Sequence, residues 1–153
     1  FYMLDNIGDF KQWFLELCNK IREEITKKHN IKSSEYVVKA LEYINANYHK
    51  NLSLDEVAGK VYLSSFYFSK IFKEHTGKSF TDYLIELRLR KAAELLSTTT
   101  KTVRTICELT GFNSQQYFAL QFKKYFGLTP TRYRIEHSTN SWTASLFLRK
   151  TKL

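Results

Sequence analysis

Hydrophobic residues recur every three or four positions along most of this chain, a spacing typical of amphipathic α-helices. In the first such run, over residues 7–25, the apolar positions are Ile7, Phe10, Phe14, Leu17, Ile21 and Ile25. A polar stretch over residues 30–34 predicts a break before a second helix over residues 35–48. The inward positions predicted for this second helix are Val38, Leu41 and Ile44. The pattern therefore predicts an amphipathic helix followed by a separate helical region.

Helix start and stop signals divide the rest of the chain. Ser53 with Glu56 three residues later forms a capping-box pattern, Gly77 and Gly127 each follow an apolar run as stop signals, and Pro130 suits the first turn of a helix. The predicted helices cover residues 54–61, 64–75, 79–96, 102–109 and 114–126, and a last short helix opens at Thr129-Pro130. With 5 Gly and 1 Pro in 153 residues, turn residues are too scarce for an all-β fold. The predicted class is all-α.

Two segments of the chain are similar to each other at an offset of 50 residues. The matching pairs are Tyr67-Phe68 with Tyr117-Phe118, Phe72-Lys73 with Phe122-Lys123, and Gly77 with Gly127. Each copy reads as a helix, a tight turn and a second helix, with a small residue, Ala58 or Cys107, where the two helices cross. Gly111 stands in the second turn, where a left-handed backbone is often required, and Tyr62 takes its place in the first. The repeat predicts two helix-turn-helix subdomains joined by the long helix over residues 79–96.

Each copy presents an outward face on its second helix. At about 100° per residue, Phe68, Ile71 and Phe72 point inward, as do Phe118 and Phe122. The opposite face carries Phe66, Lys70 and Lys73 beside Ser69 in the first copy, and Gln116, Leu120 and Lys123, flanked by Gln115 and Ala119, in the second. Lysine can donate to guanine, glutamine can pair with adenine, and a phenylalanine ring can contact the thymine methyl group. These two faces are therefore candidate surfaces for the major groove of duplex DNA.

Charge and cysteine usage narrow the function classes. The net charge of +9 favours an anionic partner, either a nucleic acid or an acidic membrane surface. The histidines are scattered, and no phosphate-binding loop or nucleophile motif is present, so no enzyme activity, metal or cofactor is expected. Cys18 and Cys107 fall on apolar helical faces and are predicted to be buried thiols in the reducing cytoplasm. No run approaches the roughly 18 apolar residues of a membrane span.

A specific combination of motifs extends over residues 36–134. It consists of SKIFKEHTGKSF at 69–80, YL at 83–84, RLRKAAELL at 88–96, GF at 111–112, YF at 117–118, FKKYFG at 122–127 and TPTRYR at 129–134. In these motifs the chain resembles the DNA-binding domain of the AraC/XylS family of transcription regulators. The resemblance covers about two thirds of the chain. It implies seven helices, with two helix-turn-helix units joined by a long connecting helix.

The resemblance also implies roles for individual residues. Base-edge contacts carry over to Phe66, Ser69, Lys70, Gln115, Gln116, Ala119 and Leu120, although packing is the alternative role for Phe66. Relatives often have Arg near the position of Leu120, so the second helix has little polar equipment beyond its glutamines. Phosphate contacts are expected from Lys73, Lys123, Lys124 and Arg132, whereas Tyr133 and Arg134 are structural in the family pattern. Arg88 and Arg90 are either phosphate contacts or partners of Glu86 and Glu94.

Besides packing back on its own domain, the first helix has three possible roles. The segment before Tyr36 resembles the linker ahead of such domains in response regulators and sensor kinases, and its alternative is a helix that packs back on its own domain. Heptad-like spacing over residues 7–25 predicts a weak homodimer. A membrane-surface helix anchored by Phe10, Trp13 and Phe14 is the third reading, but the nearly balanced charge of the helix argues against it.

The sequence thus predicts three segments: a linker or pairing helix over 1–34, a double helix-turn-helix domain over 35–135, and a tail without assigned structure over 136–153. Because the chain begins with Phe1 and not Met, a sensor or receiver domain is expected to be missing from it. The predicted function is sequence-specific binding of duplex DNA, with the two outward faces in successive major grooves.

Overall fold

The computed structural model describes the backbone of residues 7–138 and the side chains of residues 10–28 and 31–138. Helices account for most of this part of the chain, and they are α1 (Ile7–Asn47), α2 (Leu54–Lys60), α3 (Ser65–Thr76), α4 (Phe80–Thr98), α5 (Val103–Leu109), α6 (Gln115–Phe126) and α7 (Pro130–His137). No strand occurs among the described residues, which confirms the all-α prediction. Of the tail without assigned structure, residues 139–153 lie outside the described residues.

Six of these helices begin in the same way, at a serine or threonine. The hydroxyl oxygen of this residue accepts a hydrogen bond from the backbone N–H three positions on, at Ser53, Ser64, Ser79, Thr102, Ser114 and Thr129. Such a cap satisfies one of the donors that a helix leaves unpaired at its start. Gly77 and Gly127 end α3 and α6 with φ angles of +73° and +76°. These local signals explain why the predicted and observed boundaries of α2 to α7 agree within about two residues.

The helices enclose two hydrophobic cores, one for each helix-turn-helix unit. The first core includes Val37, Ala40, Ile44, Val57, Ala58, Phe68, Ile71 and Phe72. The second includes Leu89, Ala92, Leu96, Ile106, Cys107, Phe118 and Phe122. Ala58 and Cys107 are buried where the helices of each unit meet, as the repeat predicts. The small side chains let the two helices approach closely at that point.

Helix α4 belongs to both units. Its beginning places Phe80 and Leu84 in the first core, and its later part places Leu89, Ala92 and Leu96 in the second. The spacing of Leu89, Ala92 and Leu96 is the same as that of the buried residues Val37, Ala40 and Ile44 in α1. Each unit is therefore an opening helix, a helix-turn-helix and a closing helix, and α4 closes the first unit and opens the second. This sharing holds α3 and α6 on one scaffold.

The predicted break over residues 30–34 is wrong, because α1 runs without interruption from Ile7 to Asn47. Ser33 within this stretch is buried, and its hydroxyl lies 3.0 Å from Nε2 of His75 in α3. The polar residue therefore marks a contact between two helices and not a loop. The stretch contains no Gly or Pro that would end a helix. The predicted boundary between residues 34 and 35 falls inside α1.

The inward face predicted for the second part of α1 is partly wrong. Ile44 is buried and Leu41 is partly buried, as predicted, but the Val38 side chain is 51% exposed. Val37 occupies the buried position instead, because the buried residues follow the series 33, 37, 40 and 44 along one face of the helix.

The first part of α1 carries its apolar residues in solvent. The exposed members include Phe10, Trp13, Phe14, Leu17, Ile21 and Ile25. This exposure contradicts the reading in which the helix packs back on its own domain. It also corrects the prediction for Cys18, which is half-buried and not fully buried.

Candidate nucleic-acid interface

The exposed face of α3 carries the first group of candidate residues. Phe68, Ile71 and Phe72 are buried and hold the helix on the first core, as its periodicity predicts. The residues opposite them line one open depression, and they are Phe66, Ser69, Lys70, Lys73 and Glu74. Phe66 is 87% exposed, so the alternative in which its ring packs against the domain is wrong. Glu74 is the one member of this depression that the sequence-based set lacks.

The corresponding face of α6 carries the second group. Phe118 and Phe122 are buried in the second core. Gln115, Gln116 and Lys123 are exposed, Leu120 is 65% exposed, and Ala119 is partly buried. The face offers two amide side chains and an apolar surface near the start of the helix, and a cation near its end. It is chemically different from the α3 face, which offers an ammonium, a hydroxyl and an aromatic ring.

Three of the candidate phosphate-binding lysines are placed near helix ends. Lys73 lies in the last turn of α3, and Lys123 and Lys124 lie in the last turn of α6. Cations are favoured there because the carbonyl ends of a helix carry a partial negative charge. Lys124 also lines an open groove between α4 and α6, together with Lys78 and Tyr125. It therefore stands at the flank of the α6 face and not at its centre.

Helix α7 contains one candidate phosphate contact, Arg132, and two residues with structural roles, Tyr133 and Arg134. Arg132 is exposed and forms an ion pair with Glu136, whose Oε1 lies 2.6 Å from its Nε. Exposed ion pairs contribute only about 0–1 kcal/mol, so an incoming phosphate can replace this partner. Arg134 donates to the carbonyl oxygens of Leu96 and Lys101. The Tyr133 ring packs against that of Phe122, with 5.3 Å between centroids. Tyr133 and Arg134 thus have the structural roles that the family resemblance implies.

The structure shows which partners the two arginines of α4 have. Arg90 forms an ion pair with Glu86, and its Nε donates to the Tyr125 hydroxyl. The hydrogen bond from Lys78 holds the pKa of Glu86 below its ordinary value, and Tyr125 and Arg90 act in the same direction. Arg88 takes neither predicted role, because its guanidinium donates to the backbone carbonyl oxygens of Tyr48 and Lys50, just after the end of α1.

Besides Glu74, the exposed side chains of the helix-turn-helix units that the sequence-based set lacks include Tyr62 and Arg104. Tyr62 lies in the turn before α3 with 95% of its surface exposed and a φ angle of +58°. Arg104 lies in α5, exposed, with Glu108 as its ion-pair partner. The sequence signal that could have identified Tyr62 is its position in the repeat, where it is equivalent to Gly111. No comparable signal distinguishes Arg104 from other surface arginines.

Other chemistry finds little support in the described residues. Among them, no group of three or more His, Cys, Asp or Glu side chains is arranged to hold a metal ion. Burial raises the pKa of the Cys107 thiol, which disfavours the reactive thiolate. Within the same part of the chain, no helix is both long and apolar enough to cross a membrane.

Two helix-turn-helix units on a shared helix, each with an exposed and cationic second helix, define the class of tandem helix-turn-helix DNA-binding domains. A family model described as "Helix-turn-helix domain" matches residues 57–135. The fold is similar to that of the C-terminal domain of AraT, a response regulator from Geobacillus stearothermophilus. The two have a TM-score of 0.66 and 34% sequence identity, over 70% of this chain and 89% of the other.

Curated relatives support the same assignment. The chain is 32% identical over 119 residues to the HTH-type transcriptional activator AarP from Providencia stuartii. The matched region covers 78% of this chain and 88% of AarP. It is 38% identical over 108 residues to the regulatory protein PocR from Salmonella typhimurium, which covers 71% of this chain but 36% of PocR. The chain belongs to the AraC/XylS family of transcription regulators and contains the DNA-binding domain of that family. This family consists of transcription regulators and not of enzymes.

Proposed function

We propose that this chain binds duplex DNA sequence-specifically, with α3 and α6 in successive major grooves on one face of the duplex. The observation that carries the proposal is the repeated exposed face on two helices that share the α4 scaffold. Helix α4 has 19 residues and is about 28 Å long at 1.5 Å per residue. This length is compatible with recognition helices spaced near the roughly 34 Å repeat of duplex DNA.

The two faces are assigned different parts in recognition. A recognition helix brings its early residues to the base edges, so the base-edge candidates are Phe66, Ser69, Lys70, Gln115, Gln116, Ala119 and Leu120. Lys70 is placed to donate to guanine, and Gln116 to pair with adenine through its amide. Lys73, Lys123, Lys124 and Arg132 are assigned to phosphates, which position the protein without reading the sequence. The first unit then reads bases, and the second contributes mainly position and affinity.

Selection of binding sites from random duplex DNA tests this proposal. The 153-residue chain should enrich a strongly preferred block for the first unit and a weaker block, read by the glutamines of α6, for the second, with centres about 10 base pairs apart. Affinity for the enriched sequence should exceed that for random duplex by about a thousandfold or more at physiological salt. A pool that keeps no preferred sequence after repeated rounds would contradict sequence-specific binding.

A second proposal concerns the first part of α1. Its exposed residues Phe10, Phe14, Leu17 and Ile21 form one apolar face, and we propose that two copies of the chain pair weakly through residues 7–25. The run contains fewer than three heptads, which is short for an independent coiled coil. The proposed dimer is therefore weak. A longer paired helix, or binding of both copies to the same DNA, would strengthen it.

The complete regulator is proposed to extend beyond this chain. Since the chain spans 36% of PocR and matches the C-terminal domain of the response regulator AraT, we propose that a sensor or receiver domain precedes α1. In that arrangement α1 connects the two domains. Bacterial DNA lies in the cytoplasm, which is the proposed location of the protein.

A further inference from the structure

The loop between α1 and α2 is in contact with both units through one arginine. Arg88 lies on α4 between Leu87, which packs on the first core, and Leu89, which is buried in the second. Its Nε donates to the carbonyl oxygen of Tyr48 at 2.8 Å, and its Nη2 donates to that of Lys50 at 2.7 Å. The guanidinium thus holds two backbone groups of the first unit in a fixed position relative to α4.

The same guanidinium reaches the second unit. It lies over the ring of Phe112, 5.9 Å from the centroid, within the range of a cation–π contact. Phe112 follows the second turn and is buried in the second core, where its ring packs 5.0 Å from that of Phe118 in α6. A short chain of contacts therefore leads from the Tyr48 carbonyl group through Arg88 and Phe112 to the second recognition helix.

Gly111 supplies independent evidence that the units touch at this loop. A Cβ atom at this position would lie 2.8 Å from the carbonyl oxygen of His49 and 3.0 Å from that of Tyr48. The second turn therefore approaches the backbone of the first unit as closely as glycine permits. Two contacts, the Arg88 hydrogen bonds and the Gly111 approach, restrain the units in addition to their shared helix.

We propose that Arg88 is a positioning residue that fixes α3 relative to α6 and so sets the number of base pairs between the two blocks of the DNA site. This inference rests on the proposed function. Adding one base pair moves the second block by about 3.4 Å and rotates it by about 35°. Two units held rigidly can bind both blocks at one spacing only. Without the Arg88 hydrogen bonds the units keep α4 and the steric approach at Gly111, which limits closer contact but supplies no bond against opening, so they can pivot.

The test compares binding to DNA sites in which the spacing of the two selected blocks is changed by one base pair in either direction. The wild-type chain should lose affinity on the order of tenfold for each change, because Gln115 and Gln116, the polar base-reading candidates of α6, then meet the wrong bases. The Arg88→Ala chain should bind the site of original spacing less tightly than the wild type. Changing the spacing by one base pair should lower its affinity by only about a further twofold to threefold. Arg88→Lys should fall between the two, because an ammonium is a point charge without the planar fork.

Lys91→Ala is the matched control, as it removes one positive charge from the same helix, and the ion-pair partner of Lys91, Glu94, also lies on α4. It should keep the wild-type dependence on spacing even if its affinity is lower at every spacing. An Arg88→Ala chain that folds and shows the wild-type dependence would overturn the proposal.

A second measurement keeps the proposal testable if Arg88→Ala does not fold or if the chain binds no specific DNA. Spin labels at Lys39→Cys in α1 and Thr131→Cys in α7, in a chain with Cys18→Ser, report the distance between the units without DNA. The distance distribution should be narrow with Arg88 and at least about twice as broad with Arg88→Lys. Equal widths would overturn the positioning role. A broadened distribution in a chain without any preferred DNA sequence would leave the positioning role standing and refute the proposed function.

Discussion

Tyr62 and Gly111 occupy equivalent places in the two turns and adopt the same left-handed backbone, with φ angles of +58° and +83°. A side chain is tolerated at position 62 because it points into solvent, where nothing crowds it. The conformation costs on the order of 1 kcal/mol for a residue other than glycine. At position 111 a side chain would collide with the His49 carbonyl oxygen. Glycine at 111 is thus required by a tertiary contact as well as by its backbone.

Single lysines should separate base reading from phosphate binding. Lys70→Ala should change the preferred base pair at one position of the selected site, at a cost of about 1–3 kcal/mol for the original sequence. Lys123→Ala should weaken binding to every sequence alike, because phosphates are present in all of them. Binding-site selection with each variant, together with affinities for the enriched and random duplexes, measures both effects.

Lys39→Ala is a suitable control. Lys39 is exposed on α1, so its replacement removes the same charge from a helix other than α3 and α6. It should leave the preferred sequence unchanged. If Lys70→Ala leaves the preferred sequence intact while Lys123→Ala alters it, the assignment of the two lysines is wrong.

At the scale of elements, α1 shows two different surfaces along one continuous helix. Its later part contributes Val37, Ala40 and Ile44 to the first core, and Ser33 meets His75 of α3. Its earlier part leaves Phe14 and its apolar neighbours exposed. Because no break separates them, the exposed earlier part and the residue that contacts α3 lie on one continuous helix.

Pairing through α1 should appear in sedimentation equilibrium at high protein concentration. The wild-type chain should show a monomer–dimer equilibrium with a dissociation constant no tighter than about the micromolar range, given the short apolar run. Replacing Phe14 and Leu17 by Gln should make the chain monomeric, because both residues belong to the exposed apolar face.

Leu15→Gln offers the control for this prediction. Leu15 is as exposed as its neighbours but lies about 100° around the helix from Phe14, away from the apolar face. Its replacement should leave the equilibrium unchanged. A wild-type chain that remains strictly monomeric would refute pairing by this segment on its own.

At the scale of the whole molecule, charge and architecture act together. The net charge of +9 attracts any polyanion, but the two cores and the shared α4 determine where the lysines of α3 and α6 lie. The exposed cations of α3 and α6, in particular Lys73 and Lys123, lie in corresponding last turns. Neutralising phosphates with such residues releases counterions from DNA.

Binding to duplex DNA should therefore depend strongly on salt. Each neutralised phosphate contributes a slope of about −0.9 to the logarithm of affinity against the logarithm of salt concentration. About six contacts would lower affinity roughly a thousandfold between 50 and 200 mM salt. Fluorescence anisotropy titrations at several salt concentrations measure the slope, and Lys123→Ala should reduce its magnitude by about one. A slope near zero would remove the basis for DNA binding.

The sequence by itself determined the elements and the repeat. Serine, threonine, glycine and proline act within one helical turn, so their signals located α2 to α7 without knowledge of the fold. Apolar periodicity separated the buried Phe68 and Phe118 from the exposed Lys70 and Gln116 for the same reason. Helix α1 escaped this local logic, because the polar residues 30–34 look like a loop until α3 is packed against Ser33.

Only the tertiary structure decided what the residues between the two units do. Arg88 has the sequence context of any surface arginine on a helix, and the carbonyl groups that it binds lie 40 and 38 residues away in the chain. The approach of Gly111 to His49 also joins distant segments, and it exists only once both cores have formed. Periodicity reports which face of a helix is buried, but it carries no information about the partner on that face. For this reason the exposed faces of α3 and α6 could be predicted from the sequence, whereas the contacts between the two units could not.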